Sequence, residues 1–210
     1  MHDTFAQLAQ LGAFPEDTVR ALFANWLAHG YGQGVYLAER WWADRRDTTS
    51  LSRAVALYAD HMRPAPGRTV ADTAIAHWSH DRAAAYLALA RGDTTDALRR
   101  FEVLRPWPNV PHPYQQRLTY AQVLEARGQD REAAAVLDQI ADVGFPPGPM
   151  EVIWTLERAR VNERLRNHER AMRDYSFVMD VWAHADDLLR PFVDEARQGV
   201  ARLTREPRAR

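Results

Sequence analysis

Two turns of nearly identical sequence constrain the fold of this chain more than any other feature. Ala-Arg-Gly-Asp at 90–93 is matched 36 residues later by Ala-Arg-Gly-Gln at 126–129. In each copy an Ala lies seven residues before the turn glycine and another lies five residues after it, and a large apolar residue follows four positions further on. A third copy keeps this spacing, with Arg166 in the turn position. The copies comprise Ala85, Gly92, Ala97 and Phe101; Ala121, Gly128, Ala133 and Leu137; and Ala159, Ala171 and Tyr175. Because small residues let two helix backbones approach closely, the pattern predicts stacked helical hairpins.

Helical periodicity extends over most of the chain. Apolar residues recur at steps of three and four, and neither alternating β-branched runs nor Asn-Gly or Asp-Gly hairpin turns occur. Thr69 followed by Asp72 is typical of a capping box at a helix start. We predict eleven helices, at about 4–12, 16–29, 33–45, 49–62, 69–91, 94–104, 113–127, 130–141, 149–165, 168–183 and 186–203.

The repeat resembles the tetratricopeptide repeat (TPR), which has a period of about 34 residues and small residues where its two helices cross. The resemblance covers 75–183, and 33–62 is a weaker copy, because Arg-Arg-Asp-Thr-Thr at 45–49 is similar to Arg-Gly-Asp-Thr-Thr at 91–95. It implies an all-α fold, a right-handed superhelical solenoid of antiparallel helix hairpins. We expect one domain over 1–203, with weak repeats at 1–62, clearer repeats at 69–183, a capping helix at 186–203 and a frayed tail at 204–210.

Three stretches of the C-terminal half carry a second, narrower resemblance. Residues 118–128, 156–161 and 182–196 look like the C-terminal helical-repeat regions of multidomain bacterial proteins that carry Ser/Thr kinase or transcription-regulator domains upstream. This resemblance implies a regulatory or ligand-sensing region of a bacterial signalling protein, present without its effector domain. Two functions therefore stay open, a scaffold that binds partner proteins and a sensing region.

Composition excludes several kinds of chemistry. The sequence has no Cys and no Lys, so all 27 basic residues are Arg. Thiolate catalysis, iron–sulfur clusters, Schiff-base chemistry and a P-loop lysine are excluded. His77 and His80 lie three residues apart without the context of a metal motif, which favours a structural or surface role. No catalytic constellation can be identified, so we expect a protein without enzymatic activity, cofactor or metal.

Charge and hydropathy indicate where the protein works. The net charge of −1 argues against a nucleic-acid partner, which normally requires a basic surface. No apolar stretch approaches the ~20 residues that span a bilayer, and the N-terminal residues lack the features of a signal peptide. We expect a cytoplasmic protein with no membrane span.

The TPR resemblance also implies a binding surface, because the first helix of each TPR hairpin lines the concave side of the stack. A mixed polar surface there suits a protein or peptide partner, bound as an extended peptide or a helix, and association with a larger complex. Most of the seven Trp residues are interpreted as packing residues, with Trp107 in a Pro-rich loop as the best candidate for an aromatic anchor. The candidate partner-binding residues are Arg82, Tyr86, Gln115, Gln122, Glu125, Arg160, Glu163 and Trp107.

Overall fold

The fold is entirely helical within the residues that the structure, a computed structural model, describes: 2–30, 32–104, 114–139 and 148–205. These ranges form eleven α-helices and no strand, which confirms the predicted all-α class and the predicted order of the helices. The right-handed superhelical solenoid stays a prediction. The helices are α1 (His2–Gln10), α2 (Glu16–Ala28), α3 (Gly32–Asp44), α4 (Thr48–Met62), α5 (Val70–Ala90), α6 (Thr94–Leu104), α7 (Tyr114–Glu125), α8 (Asp130–Leu137), α9 (Pro149–Arg164), α10 (His168–Val181) and α11 (Arg190–Arg205).

Local sequence signals account for several helix starts. The Thr69 hydroxyl accepts a hydrogen bond from the Asp72 backbone N–H, and the Asp72 carboxylate accepts one from the Thr69 N–H, so the predicted capping box starts α5. The last helix begins at Arg190 rather than near residue 186. Pro191 then lies in its first turn, where the missing N–H of proline breaks no helical hydrogen bond.

The contacts divide the chain into two compact units, unit 1 (Met1–Pro111) and unit 2 (His112–Arg210). In unit 1, α5 packs against α3, α4 and α6, while α1 and α2 pack against α3. In unit 2, α9 packs against α7, α8, α10 and α11. The sequence-based prediction of one continuous domain over 1–203 stays a prediction.

Four hairpins share one turn geometry. The turns lie between α3 and α4, α5 and α6, α7 and α8, and α9 and α10, and the four turn residues have positive φ: Arg46 (53°), Gly92 (81°), Gly128 (73°) and Arg166 (61°). In every turn, this residue donates its N–H to the carbonyl three positions back, and the next residue donates to the carbonyl five positions before itself. This pair of bonds is the Schellman motif, which satisfies the last carbonyls of a helix. The sequence similarity between 45–49 and 91–95 therefore reflects a shared turn.

The small residues of the repeat lie where the pattern predicts close packing. The two Ala positions of each copy are completely buried, and the large apolar residue that follows is at most 2% exposed. The six Ala residues are Ala85, Ala97, Ala121, Ala133, Ala159 and Ala171. Because a longer side chain would separate the backbones, these Ala positions allow close packing of the hairpins.

The aromatic residues mostly serve as core. Five of the Trp residues are buried, as the packing interpretation expects: Trp26, Trp41, Trp42, Trp78 and Trp154. In unit 1, Phe23 packs against the rings of Trp26, Trp41 and Trp42. Among the helices within the described ranges, none combines the length and apolar character needed to cross a membrane.

Candidate partner-binding surface and a buried ion pair

Three helices of unit 2 carry charged side chains that hydrogen-bond to one another across helix boundaries. The helices are α7, α9 and α11, and α9 packs against both of the others. We call this set of residues the charged ladder. It consists of Gln122, Glu125, Glu157, Arg160, Glu163, Arg164, Glu195 and Arg202.

The centre of the charged ladder joins all three helices through one chain of hydrogen bonds. The Glu157 carboxylate accepts a bond from Gln122 Nε2 at 2.8 Å and one from Arg160 Nη1 at 3.0 Å. Arg160 also donates two bonds to Glu195, through Nε and Nη2, each 2.6 Å long. Such two-point Arg–carboxylate contacts hold both groups in fixed orientation.

Two further Arg residues, Arg164 and Arg202, form ion pairs on either side of this central chain of hydrogen bonds. Arg164 donates to Glu125 and, at 3.0 Å, to Asp130 at the start of α8. Arg202 donates two bonds to Glu163, at 2.7 and 2.8 Å, and the Tyr175 hydroxyl donates a third at 2.6 Å. The Arg164 and Arg202 side chains are 43% and 52% exposed, so they are the solvent-facing cations of the ladder.

The carboxylates of the ladder experience opposite electrostatic environments. Burial and, to a smaller extent, the neighbouring Glu157 carboxylate raise the pKa of Glu125 to about 7, against the opposing effect of Arg164. The pKa of Glu163 is instead lowered, chiefly because Arg202 donates hydrogen bonds to its carboxylate. The folded protein therefore favours the protonated form of Glu125 and the ionised form of Glu163.

Four of the candidate residues named from the sequence meet in this ladder: Gln122, Glu125, Arg160 and Glu163. Gln115 lies seven residues before Gln122, on the same side of α7, and is half-buried. Trp107 lies outside the described residues. Sequence reasoning missed Glu157, Arg164, Glu195 and Arg202 as members of one surface.

A signal for the missed residues was present in the spacing. Gln122 and Glu157 are 35 residues apart, as are Arg160 and Glu195, while Glu125–Arg164 and Glu163–Arg202 are both separated by 39. These separations fall on either side of the 36- and 38-residue spacing of the turns at 92, 128 and 166. Complementary polar or charged side chains about one repeat apart therefore indicate contacts between neighbouring repeats.

The remaining two candidates are not available on a surface. As candidate partner-binding residues, Arg82 and Tyr86 are expected on an exposed surface, but their exposed fractions are 3% and 1%, so that expectation is wrong. Arg82 lies ten residues before its turn, where the next two copies have the buried residues Leu118 and Leu156. The repeat register therefore directs Arg82 into the core.

A single buried carboxylate compensates the Arg82 charge. Arg82 Nε donates to Glu39 Oε2 at 2.7 Å and Nη2 donates to Oε1 at 2.8 Å. The guanidinium also lies 4.8 Å from the centre of the Tyr36 ring and 4.6 Å from that of Trp78, distances typical of cation–π contacts. Burial raises the pKa of Glu39, and the adjacent Arg82 acts against this effect. The pair joins α3 to α5 inside unit 1.

Glu39 itself occupies an unexpected place in the repeat. It lies seven residues before the turn residue Arg46, the position that Ala85, Ala121 and Ala159 hold in the other hairpins. One copy thus has a carboxylate where the other copies have Ala, and the next has a guanidinium where the following copies have Leu. Each substitution compensates the other.

The described residues show no metal site. Within them, no three His, Cys, Asp or Glu side chains converge on a position that could hold a metal ion. Comparison with protein-family models, with curated proteins and with solved structures finds no match to this chain.

Proposed function

We propose that this chain is a non-catalytic protein-interaction module built from degenerate TPR-like hairpins, and that its partner binds at the charged ladder. The four shared turns and the buried Ala positions support the comparison with TPR hairpins, since both features are those of a helical repeat. The first helices of two hairpins, α7 and α9, supply most of the ladder.

The observation that carries this proposal is the mixed charge of the ladder together with the exposure of Arg164 and Arg202. Each guanidinium satisfies part of its hydrogen-bonding capacity within the protein and keeps about half of its side chain open to solvent. An acidic side chain of a partner is able to add a further charge-assisted bond at each of these positions. We therefore propose a partner segment that presents acidic side chains toward α9 and α11.

The test reverses the two exposed charges. The double variant Arg164→Glu/Arg202→Glu should lose the partner, because it places carboxylates where the proposal has guanidinium donors. The matched control is Arg170→Glu/Arg197→Glu. Its two side chains are 49% and 63% exposed, and each pairs with one carboxylate outside the ladder. Arg170 lies on α10, and Arg197 lies two residues from Glu195, about 200° around α11.

Partners are to be captured from native lysate with the wild-type chain and both double variants, and quantified by mass spectrometry. Circular dichroism first establishes that all three chains are folded. Proteins retained by the wild type and by the control, but reduced at least tenfold with the Arg164→Glu/Arg202→Glu chain, support the proposal. Equal retention by all three chains would show that the partner binds elsewhere.

A further inference from the structure

Glu125 of α7 and Glu157 of α9 form a carboxyl pair that most of the surrounding protein shields from water. Their side chains are 12% and 6% exposed. Gln122, one helical turn before Glu125 on α7, donates a hydrogen bond to Glu157 at 2.8 Å, so the two carboxyl groups lie on the facing sides of α7 and α9. The Glu157 charge also acts on Glu125. Two ionised carboxylates placed in this way repel each other, because a partly buried site screens charge poorly.

The donors around the pair are unevenly distributed. Glu157 Oε2 accepts bonds from Gln122 and Arg160, and Glu125 Oε2 accepts one from Arg164. The second oxygen of Glu125, Oε1, is buried and has no hydrogen-bond partner among the residues that the structure describes. A buried carboxylate oxygen without a donor is costly when charged, whereas a proton on it creates a donor that is able to bond to Glu157.

The neighbouring charges do not balance the pair. From α8, Asp130 shares Arg164 with Glu125, and from α11, Glu195 engages two nitrogens of Arg160. Within the described part of the chain, four acidic groups, Glu125, Asp130, Glu157 and Glu195, form ion pairs with two guanidinium groups, Arg160 and Arg164. One added proton lowers this excess of negative charge.

We propose that Glu125 holds a proton and donates it in a hydrogen bond to the Glu157 carboxylate, and that losing this proton loosens the contact between α7 and α9, so that the contact depends on pH. The proposal does not depend on partner binding, since the proton, the two carboxyl groups and the α7–α9 contact all belong to this chain. A bound partner would sense pH through the position of α7 relative to α9.

The direction of the effect follows from the protonation equilibrium. The pKa of Glu125 is about 7 in the folded protein, above its ordinary value of 4.5, so the folded state holds the proton more tightly than the unfolded state. The stabilisation is complete below the unfolded-state value and is lost as the pH rises through about 7. Between pH 4.5 and about 7, deprotonation of Glu125 increases the unfolding equilibrium constant by up to about tenfold per pH unit.

The first experiment measures urea unfolding of the full chain from pH 5 to pH 8.5. The wild type should lose stability as the pH rises to about 7 and then level off. Glu125→Gln keeps the neutral form at every pH and should remove this component of the profile. Glu132→Gln, which changes an exposed carboxylate on α8, is the matched control and should follow the wild type. Parallel profiles for the wild type and Glu125→Gln would overturn the proposal.

The second experiment follows the carboxyl group directly and does not require the Glu125→Gln chain to fold. Carbon-13 NMR of glutamate-labelled protein should show one side-chain carboxyl resonance with a midpoint near pH 7. In Glu157→Gln this midpoint should move to lower pH, because the repelling charge is absent. Hydrogen exchange, corrected for its intrinsic pH dependence, should show protection of α7 falling above pH 7 relative to α10. A Glu125 midpoint below pH 5, or protection of α7 that is independent of pH, would contradict the proposal that Glu125 holds this proton.

Discussion

The Arg82 guanidinium and the Glu39 carboxylate form a two-point ion pair that links α5 to α3, and their side chains are only 4% and 0% exposed. Removing either partner leaves the other charge buried without compensation. We expect Glu39→Ala or Arg82→Ala to lower the free energy of unfolding by about 3–5 kcal/mol. Urea denaturation, monitored by the fluorescence of the Trp residues buried in unit 1, measures this loss.

The matched control for the ion pair is the double variant Glu39→Ala/Arg82→Leu. It restores the residue types that the other hairpins have at these two positions, such as Ala121 and Leu118. Because a buried ion pair replaced by apolar residues of suitable volume is often neutral or stabilising, the double variant should be more stable than either single variant. A double variant as unstable as the two single losses added together would show that the two charges do not compensate each other.

Arg166 adopts a backbone conformation that favours glycine. Its φ is 61°, and the equivalent residues of two other turns are Gly92 and Gly128. Arg166→Gly should raise the free energy of unfolding by about 0.5–1 kcal/mol, since glycine enters the left-handed region without the steric cost that a side chain brings. Arg173→Gly, in the interior of α10, is the control and should lower it by about 1 kcal/mol. Thermal and urea unfolding distinguish these opposite signs, and a destabilised Arg166→Gly chain would contradict the assignment.

Gly199 allows α11 to pack closely on Tyr175. A Cβ atom at position 199 would lie 2.4 Å from Tyr175 Cε2 and 2.6 Å from Cζ. The ring cannot move away easily, because the Tyr175 hydroxyl donates a hydrogen bond to Glu163. Gly199→Ala should therefore lower the free energy of unfolding by about 1–3 kcal/mol.

Two further variants test the cause of that loss. Adding Tyr175→Leu, the residue type at the equivalent position Leu137, should recover part of the stability that Gly199→Ala removes. Gln198→Ala changes the exposed neighbour of Gly199 and should stay within about 0.5 kcal/mol of the wild type. If Gly199→Ala costs the same with and without the Tyr175 ring, the ring is not the obstacle.

Sequence alone predicts the hairpins well because each is defined by local signals. The turn sequence, the small residues around it and the helical periodicity all act within one hairpin, so Ala121 and Ala133 can be placed without knowledge of the other helices. The same register locates Arg82 in a core position. The charge of Arg82 favours an exposed position, but its place in the repeat, equivalent to that of Leu118, is buried.

The ion-pair partners are harder to predict, because they depend on contacts between hairpins. Glu39 and Arg82 are 43 residues apart in the sequence. The repeat pattern predicts Ala at the first position and Leu at the second, so it does not indicate that these two positions carry an ion pair. In the charged ladder the repeat period restricts the choice of partners. It does not determine which rotamers bring Arg160 to both Glu157 and Glu195.

The Glu163–Arg202 pair gives a final prediction about pH. The pKa of Glu163 is lowered in the folded protein, chiefly by the hydrogen bonds from Arg202. A carboxyl group of this kind stabilises the fold above its unfolded-state pKa, and its contribution is lost as the pH falls through the lower, folded-state value. Glu163→Gln should therefore be less stable than the wild type at neutral pH, and the difference should shrink as the pH is lowered from 5 toward 3.

The Arg202→Gln background identifies the source of this dependence. Without the guanidinium, the folded state no longer favours the ionised form of Glu163 to the same extent, so Glu163→Gln should have a smaller effect at neutral pH and a flatter dependence below pH 5. Urea unfolding of the four chains of this double-mutant cycle, at pH 7, 5, 4 and 3, measures the coupling. A coupling that is the same at pH 3 and pH 7 would mean that packing, and not the charge of Glu163, joins α9 to α11, because protonation removes the charge and leaves the packing in place.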